Sequence, residues 1–174
     1  MRLLGVIGLL LIIAIIGAAA FFFGGYYSVA ANAPLPGFVD AAIMQVRVAS
    51  IRQHATQSPP SGLSLSDVAV IQDGARAFAS RGCSYCHGGP GVNWAKFSEG
   101  LDPGPPDLKE VVPNLDPREL FWVIRNGIGM TGMPSFAAAG TPDDEIWKIV
   151  AFVKQLPIVT DEQFKMWTAA GQKP

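Results

Sequence analysis

Between Leu3 and Phe23 the chain reads LLGVIGLLLIIAIIGAAAFFF, 21 residues with no charge, no proline and no Asn or Gln. A run of this kind in lipid has one structure open to it. Only a helix pairs every backbone N–H and C=O within the segment itself. At the helical rise it spans about 32 Å, close to the ~30 Å hydrocarbon core of a bilayer. Tyr26 and Tyr27 follow where an interfacial aromatic belt sits, and Arg2 is the sole charge in front. By the positive-inside rule Arg2 stays in the cytoplasm and residues 28–174 are exported. The competing reading is a removed signal peptide, whose apolar part is shorter and ends at small residues such as Ala18-Ala19-Ala20 or Val29-Ala30-Ala31. Cleavage at the first of these leaves Phe21-Phe22-Phe23 as a greasy new terminus, so the expectation is a retained single-pass anchor over residues 1–27.

The charges confirm that the chain changes character after this point. Residues 1–60 hold three basic side chains (Arg2, Arg47, Arg52) and one acidic one (Asp40), while residues 61–174 hold ten basic and thirteen acidic. The polar part is long enough for one core and too short for two. A net charge of −1 without a basic run excludes binding to nucleic acid through its phosphates. Two cysteines cannot make a disulfide scaffold.

Residues 32–37 (NAPLPG) break the chain, and residues 37–57 then read as a helix. Met44, Val48, Ile51 and Ala55 share one face of it, suited to lipid, to a partner or to plain packing. Residues 56–66 (TQSPPSGLSLS) are a Pro/Ser/Gly linker, so residues 28–66 form a juxtamembrane helix and tether. The exported domain is expected over 67–160, followed by a tail over 161–174. Ser66 is a candidate N-cap, with Asp67 in the first turn and Val68, Ile71, Ala75 and Phe78 at helical spacing. Asp116-Pro117-Arg118-Glu119 opens a second helix that stops at Asn126-Gly127. Thr141-Pro142 opens a third, which stops before Pro157. Five glycines and five prolines make residues 88–113 mostly loop. No β alternation is sustained, so the domain is all-α: three main helices and long loops. That is little helix surface for a core, and something else must fill the middle.

Cys83-Ser84-Tyr85-Cys86-His87 is C-x-x-C-H, the attachment pattern of a c-type haem. Two thiols add to two vinyl groups on one porphyrin edge, and the adjacent histidine is carried under the ring to the iron. A zinc site needs about four ligands, and beyond the motif only His54 is on offer, across a proline-rich linker. A redox dithiol is expected beside a βαβ pattern, which is missing. A structural disulfide stays open in an exported protein.

From these residues the chain resembles the class I cytochromes c, in particular small bacterial monohaem cytochromes held by an N-terminal anchor. The resemblance covers about residues 67–157 and rests on four segments in order. They are Asp73-Gly74-Ala75-Arg76-Ala77-Phe78 in the first helix, CSYCH, Pro105-Pro106-Asp107-Leu108, and Gly132-Met133-Pro134-Ser135-Phe136. It implies a cytochrome c fold around one covalently bound haem c, behind a transmembrane helix in the bacterial inner membrane, with the haem domain in the periplasm. It also implies that His87 is the proximal ligand, its other ring N–H held by a carbonyl of Pro106, or of Pro105 if the register slips by one. Met133 is the expected distal ligand, with Met130 its nearest rival; Gly132 and Pro134 favour Met133 because a ligand loop must approach the ring with a fixed backbone. Gly74, Phe78 and Phe152 are expected where first and last helices cross. Leu108, Ile128 and Phe136 are expected on the ring faces, and one of Trp122, Arg125 and Asn126 on a propionate, with core packing and a solvated face as the plain alternatives.

The function implied is one-electron transfer between membrane-bound or periplasmic redox proteins, with no small-molecule substrate and no catalytic residue. Two alternatives stay in view. One is a dedicated cytochrome c subunit of a membrane dehydrogenase or terminal oxidase, in which the 37–57 helix is an interface. The other is a haem enzyme or gas sensor with a labile sixth ligand.

Overall fold

The computed structural model describes residues 2–33 and 35–169. Pro34, in the NAPLPG break, and the end of the expected tail, 170–174, lie outside the described residues. Two units separate between Leu35 and Pro36.

The first unit is helix α1, Arg2–Phe23, with the 21 residues from Leu3 to Phe23 unburied and apolar enough to cross a membrane. Its run ends where Gly24 and Gly25 turn the chain and Phe22 packs on Tyr27 with ring centroids 5.2 Å apart.

The second unit is all-α, and no strand is assigned among the described residues. It opens with α2, Gly37–His54, none of whose residues is fully buried. Across the linker that follows, α2 lies against α6 (Pro117–Asn126). Arg52 faces Glu119 at 3.5 Å, the His54 and Trp122 rings sit 5.9 Å apart, and Ala55 is buried. Part of the apolar stripe thus finds its partner within the same domain: Val48 and Ile51 are half-buried while Met44 stays exposed.

Helix α3, Val68–Ser80, crosses α7, Asp143–Gln155, and this crossing makes the core. Gly74 lets it form, because a Cβ there would stand 1.9 Å from the Lys148 carbonyl oxygen and 3.0 Å from Phe152 Cβ. Phe78 and Phe152 meet edge to face at 5.2 Å, as the resemblance implies. On the other side of α7, Phe121 of α6 stacks on Trp147 at 4.2 Å.

The helix starts differ in how well their signals hold. At α6 the Asp116 carboxylate accepts from Arg118 N–H, and Glu119 reaches back to the Asp116 N–H at 3.1 Å, a capping box with Pro117 at the first position. At α3 the cap is Asp67, which accepts from Ala69 N–H at 2.8 Å, rather than Ser66. At α7 Thr141 does not cap: Pro142 holds that place, and the Thr141 hydroxyl is buried without a partner among the described residues.

Between α3 and α6 lie two short helices, α4 (Cys83–His87) and α5 (Leu108–Val111). The expected tail is in part a further helix, α8, Asp161–Ala169. Its Phe164 is buried, stacked on Phe152 at 5.4 Å and 6.4 Å from Phe78.

Candidate functional site: a haem-binding face

The C-x-x-C-H motif follows α3 directly. Gly82, at φ 81°, turns the chain out of α3 into the single turn of α4. Helical winding then sets Cys83, Cys86 and His87 on adjoining positions of that turn. Both thiols are free and half-buried. Burial, with the neighbouring Cys86 adding to it, pushes the Cys83 thiol up to about 12, so it stays protonated at neutral pH. A thiol held in that form is a poor redox nucleophile. Among the described residues no group of three or more His, Cys, Asp and Glu side chains is placed to hold a metal ion.

His87 Nδ1 lies 3.2 Å from the Pro106 carbonyl oxygen. A carbonyl can only accept, so Nδ1 carries the proton and Nε2 keeps its lone pair for a metal. Burial lowers the His87 pKa, which keeps the ring neutral, as a ligand must be; the Pro106 carbonyl pulls weakly the other way. The two cavities beside this ring are lined by Cys86 and Pro105 on one side and by Leu108 and Leu156 on the other. Trp94 lines both. It carried no motif signal, and only its place in the folded loop brings it to the site.

Met133 comes from the loop after α6, half-buried and packed on the core. The loop is held closed. Ile128 N–H donates to the Met133 carbonyl at 3.1 Å, and Thr131 Oγ1 donates to the Ile128 carbonyl at 2.7 Å. Gly127, at φ 70°, admits the return, since a Cβ there would stand 2.7 Å from the Met133 carbonyl oxygen. Met130 sits at the exposed tip, 84% accessible, with φ 57°. Of the two sulfurs, only that of Met133 belongs to a side chain packed on the core.

Leu108 and Phe136 pack with the core, and Ile128 is half-buried. Arg125 donates from Nε to Asp143 at 2.9 Å. Asn126 donates to the Trp122 carbonyl at 2.9 Å, and the Trp122 ring faces His54. The chemistry of this set fits a c-type haem: two thiols and a neutral imidazole on one turn, a thioether on a closed loop, and apolar side chains packed with the core.

All-α packing around a C-x-x-C-H turn, in a chain whose N-terminal helix is long and apolar enough to cross a membrane, marks a membrane-anchored protein with one covalently bound haem c. Residues 69–153, a little under half of the chain, match the family model described as cytochrome C oxidase, cbb3-type, subunit III. No curated protein and no solved structure matches the chain. The protein is thus a one-electron carrier with a His/Met-ligated haem, single-pass in the membrane, its haem domain facing the periplasm. The match favours the oxidoreductase-subunit reading over a free carrier.

Proposed function

We propose that this chain is the cytochrome c subunit of a membrane oxidoreductase of the terminal-oxidase kind, relaying single electrons to the complex it is anchored beside. The match over 69–153 carries this reading. Within it, Cys83 and Cys86 hold the haem by thioether bonds, and His87 and Met133 are the axial ligands. The bound haem supplies one reversible electron, at a potential that a thioether ligand raises. The chain supplies the rest. Pro106 fixes the imidazole, and Leu108 with Phe136 keeps the ring faces dry. Arg125 spends only its Nε on Asp143 among the described residues, which leaves its terminal N–H groups for a propionate, with Trp122 beside it. With both axial positions filled there is no place for a substrate.

The test is extraction of the intact protein in mild detergent. Stoichiometric co-purification with oxidase subunits is the expected result, and recovery as a haem-loaded single chain would favour the free carrier. A methionine–iron charge-transfer band in the oxidised protein separates both from a gas sensor with a labile sixth site.

A further inference from the structure

Lys154 is the one lysine seen to donate to two backbone carbonyls among the described residues. It lies half-buried in the last turn of α7, and its Nζ is 3.0 Å from the carbonyl oxygens of both Val112 and Leu115. These belong to a turn that continues, hydrogen bond by hydrogen bond, back to Asp107, the residue after the acceptor of His87. Val112 N–H donates to Leu108 O. Glu110 and Val111 N–H donate to Asp107 O, and the Asp107 carboxylate accepts from Lys109 N–H at 2.8 Å. Pro106 is the next residue, and Pro105 and Pro106 have no backbone N–H with which to hold themselves in place. The segment 107–115 is therefore one short hydrogen-bonded body, pinned at its far end by Lys154. The same end of α7 supplies Leu156 to the cavity that His87 and Leu108 line.

What the pin holds is sensitive to position. The His87–Pro106 contact, at 3.2 Å, is at the long limit of a good N–H···O bond. A small outward movement of the 107–115 body breaks it. We propose that Lys154 is a positioning residue for this hydrogen bond, and through it sets how strongly the His87 imidazole donates to the haem iron. The inference rests on His87 being the proximal ligand. An imidazole whose N–H is well bonded is a more basic ligand and favours oxidised iron. Loosening the bond raises the reduction potential.

The experiment uses the full-length, haem-loaded protein and three variants: Lys154→Met, Lys154→Gln and Phe164→Leu. The last loosens the core at α8, where Phe164 packs on Phe78 and Phe152, and leaves the hydrogen bonds of the 107–115 turn untouched. Two quantities are read: the potential, and the solvent exchange of the His87 ring N–H by NMR in the reduced state. In Lys154→Met exchange is expected to quicken about tenfold and the potential to rise. Lys154→Gln, which keeps one donor group, falls between, and serves alone if the Met variant does not accumulate. Phe164→Leu lowers stability and leaves both readings at the native value. If the Lys154 variants lose stability without moving either reading, or Phe164→Leu moves them equally, Lys154 is only a structural clamp. If the native protein carries no covalent haem, the underlying reading fails instead.

Discussion

Replacing Gly74 by alanine adds one methyl group at the place where α3 and α7 touch most closely. The new Cβ would stand 1.9 Å from the Lys148 carbonyl oxygen and 2.6 Å from its carbon. Both are backbone atoms of α7, so no rotamer change relieves the clash. Restoring an ordinary contact of 3.4 Å parts the helices by about 1.5 Å at that point. A gap of that size along the crossing forfeits half or more of the dispersion between facing side chains, among them Phe78 and Phe152. Overpacking and lost contact together cost about 3–4 kcal/mol. Alanine's better helix propensity returns about 1 kcal/mol. The net loss of about 2–3 kcal/mol lowers the midpoint of thermal unfolding by roughly 8–12 °C for a domain of this length. Far-ultraviolet circular dichroism of the haem-loaded protein during heating measures it. A midpoint within about 2 °C of the native value would refute the argument, since the crossing would then have room that the geometry denies.

Met133→Ala should open the sixth position, so that carbon monoxide binds the reduced protein and the potential falls, whereas Met130→Ala, at the exposed tip, should change neither. Asp116 titrates at about 2 because Arg118 bonds its carboxylate, so its share of stability is present above pH ~4 and is lost as pH falls through 2. That carboxylate is largely exposed, so the share is under about 1 kcal/mol, and Asp116→Asn should flatten acid unfolding by no more than this. A high-salt wash should leave the haem domain with membranes, because screening loosens ionic contacts and does not extract an apolar helix. Removal of residues 1–35 behind a cleavable signal should release a soluble domain with an unchanged spectrum; absorbance in the wash fraction tests both.

The features legible from sequence are those in which a few neighbouring residues determine a local geometry. The Asp116-Pro117-Arg118-Glu119 start needs nothing beyond its own four residues, and it forms as read. His87 and Pro106 are nineteen residues apart, yet the resemblance pairs them and the fold sets them in contact. Helix α8 has an equally local signal: Thr160 and Gln163 satisfy each other's backbone N–H groups, a T-x-x-Q capping box ahead of Phe164. Thr141-Pro142 misleads because the Thr141 N–H is drawn to the Phe136 carbonyl, and its side chain turns inward rather than over the helix end. The docking of α2 brings Arg52 to Glu119 across 67 positions of chain, and no periodicity records a pairing of that range. Trp94 is only seven positions from His87, but nothing in the motif marks it as a residue that lines the site.

The loop that carries Met133 also finishes α6. Two carbonyls in the last turn of that helix, which have no partner inside it, are met by the returning chain: Ile124 O by Phe136 N–H, and Arg125 O by Ala137 N–H and by Ser135 Oγ at 2.8 Å. Helix end and methionine loop are therefore one mechanical piece. The methionine cannot swing out alone, because doing so strips two acceptors of their donors and frays the turn that holds Arg125. With Met133 as an axial ligand, a thioether carried on so fixed a piece would leave little to rearrange when an electron arrives or leaves. Slow ligand exchange and fast electron exchange would then have a common origin in the three hydrogen bonds that close α6.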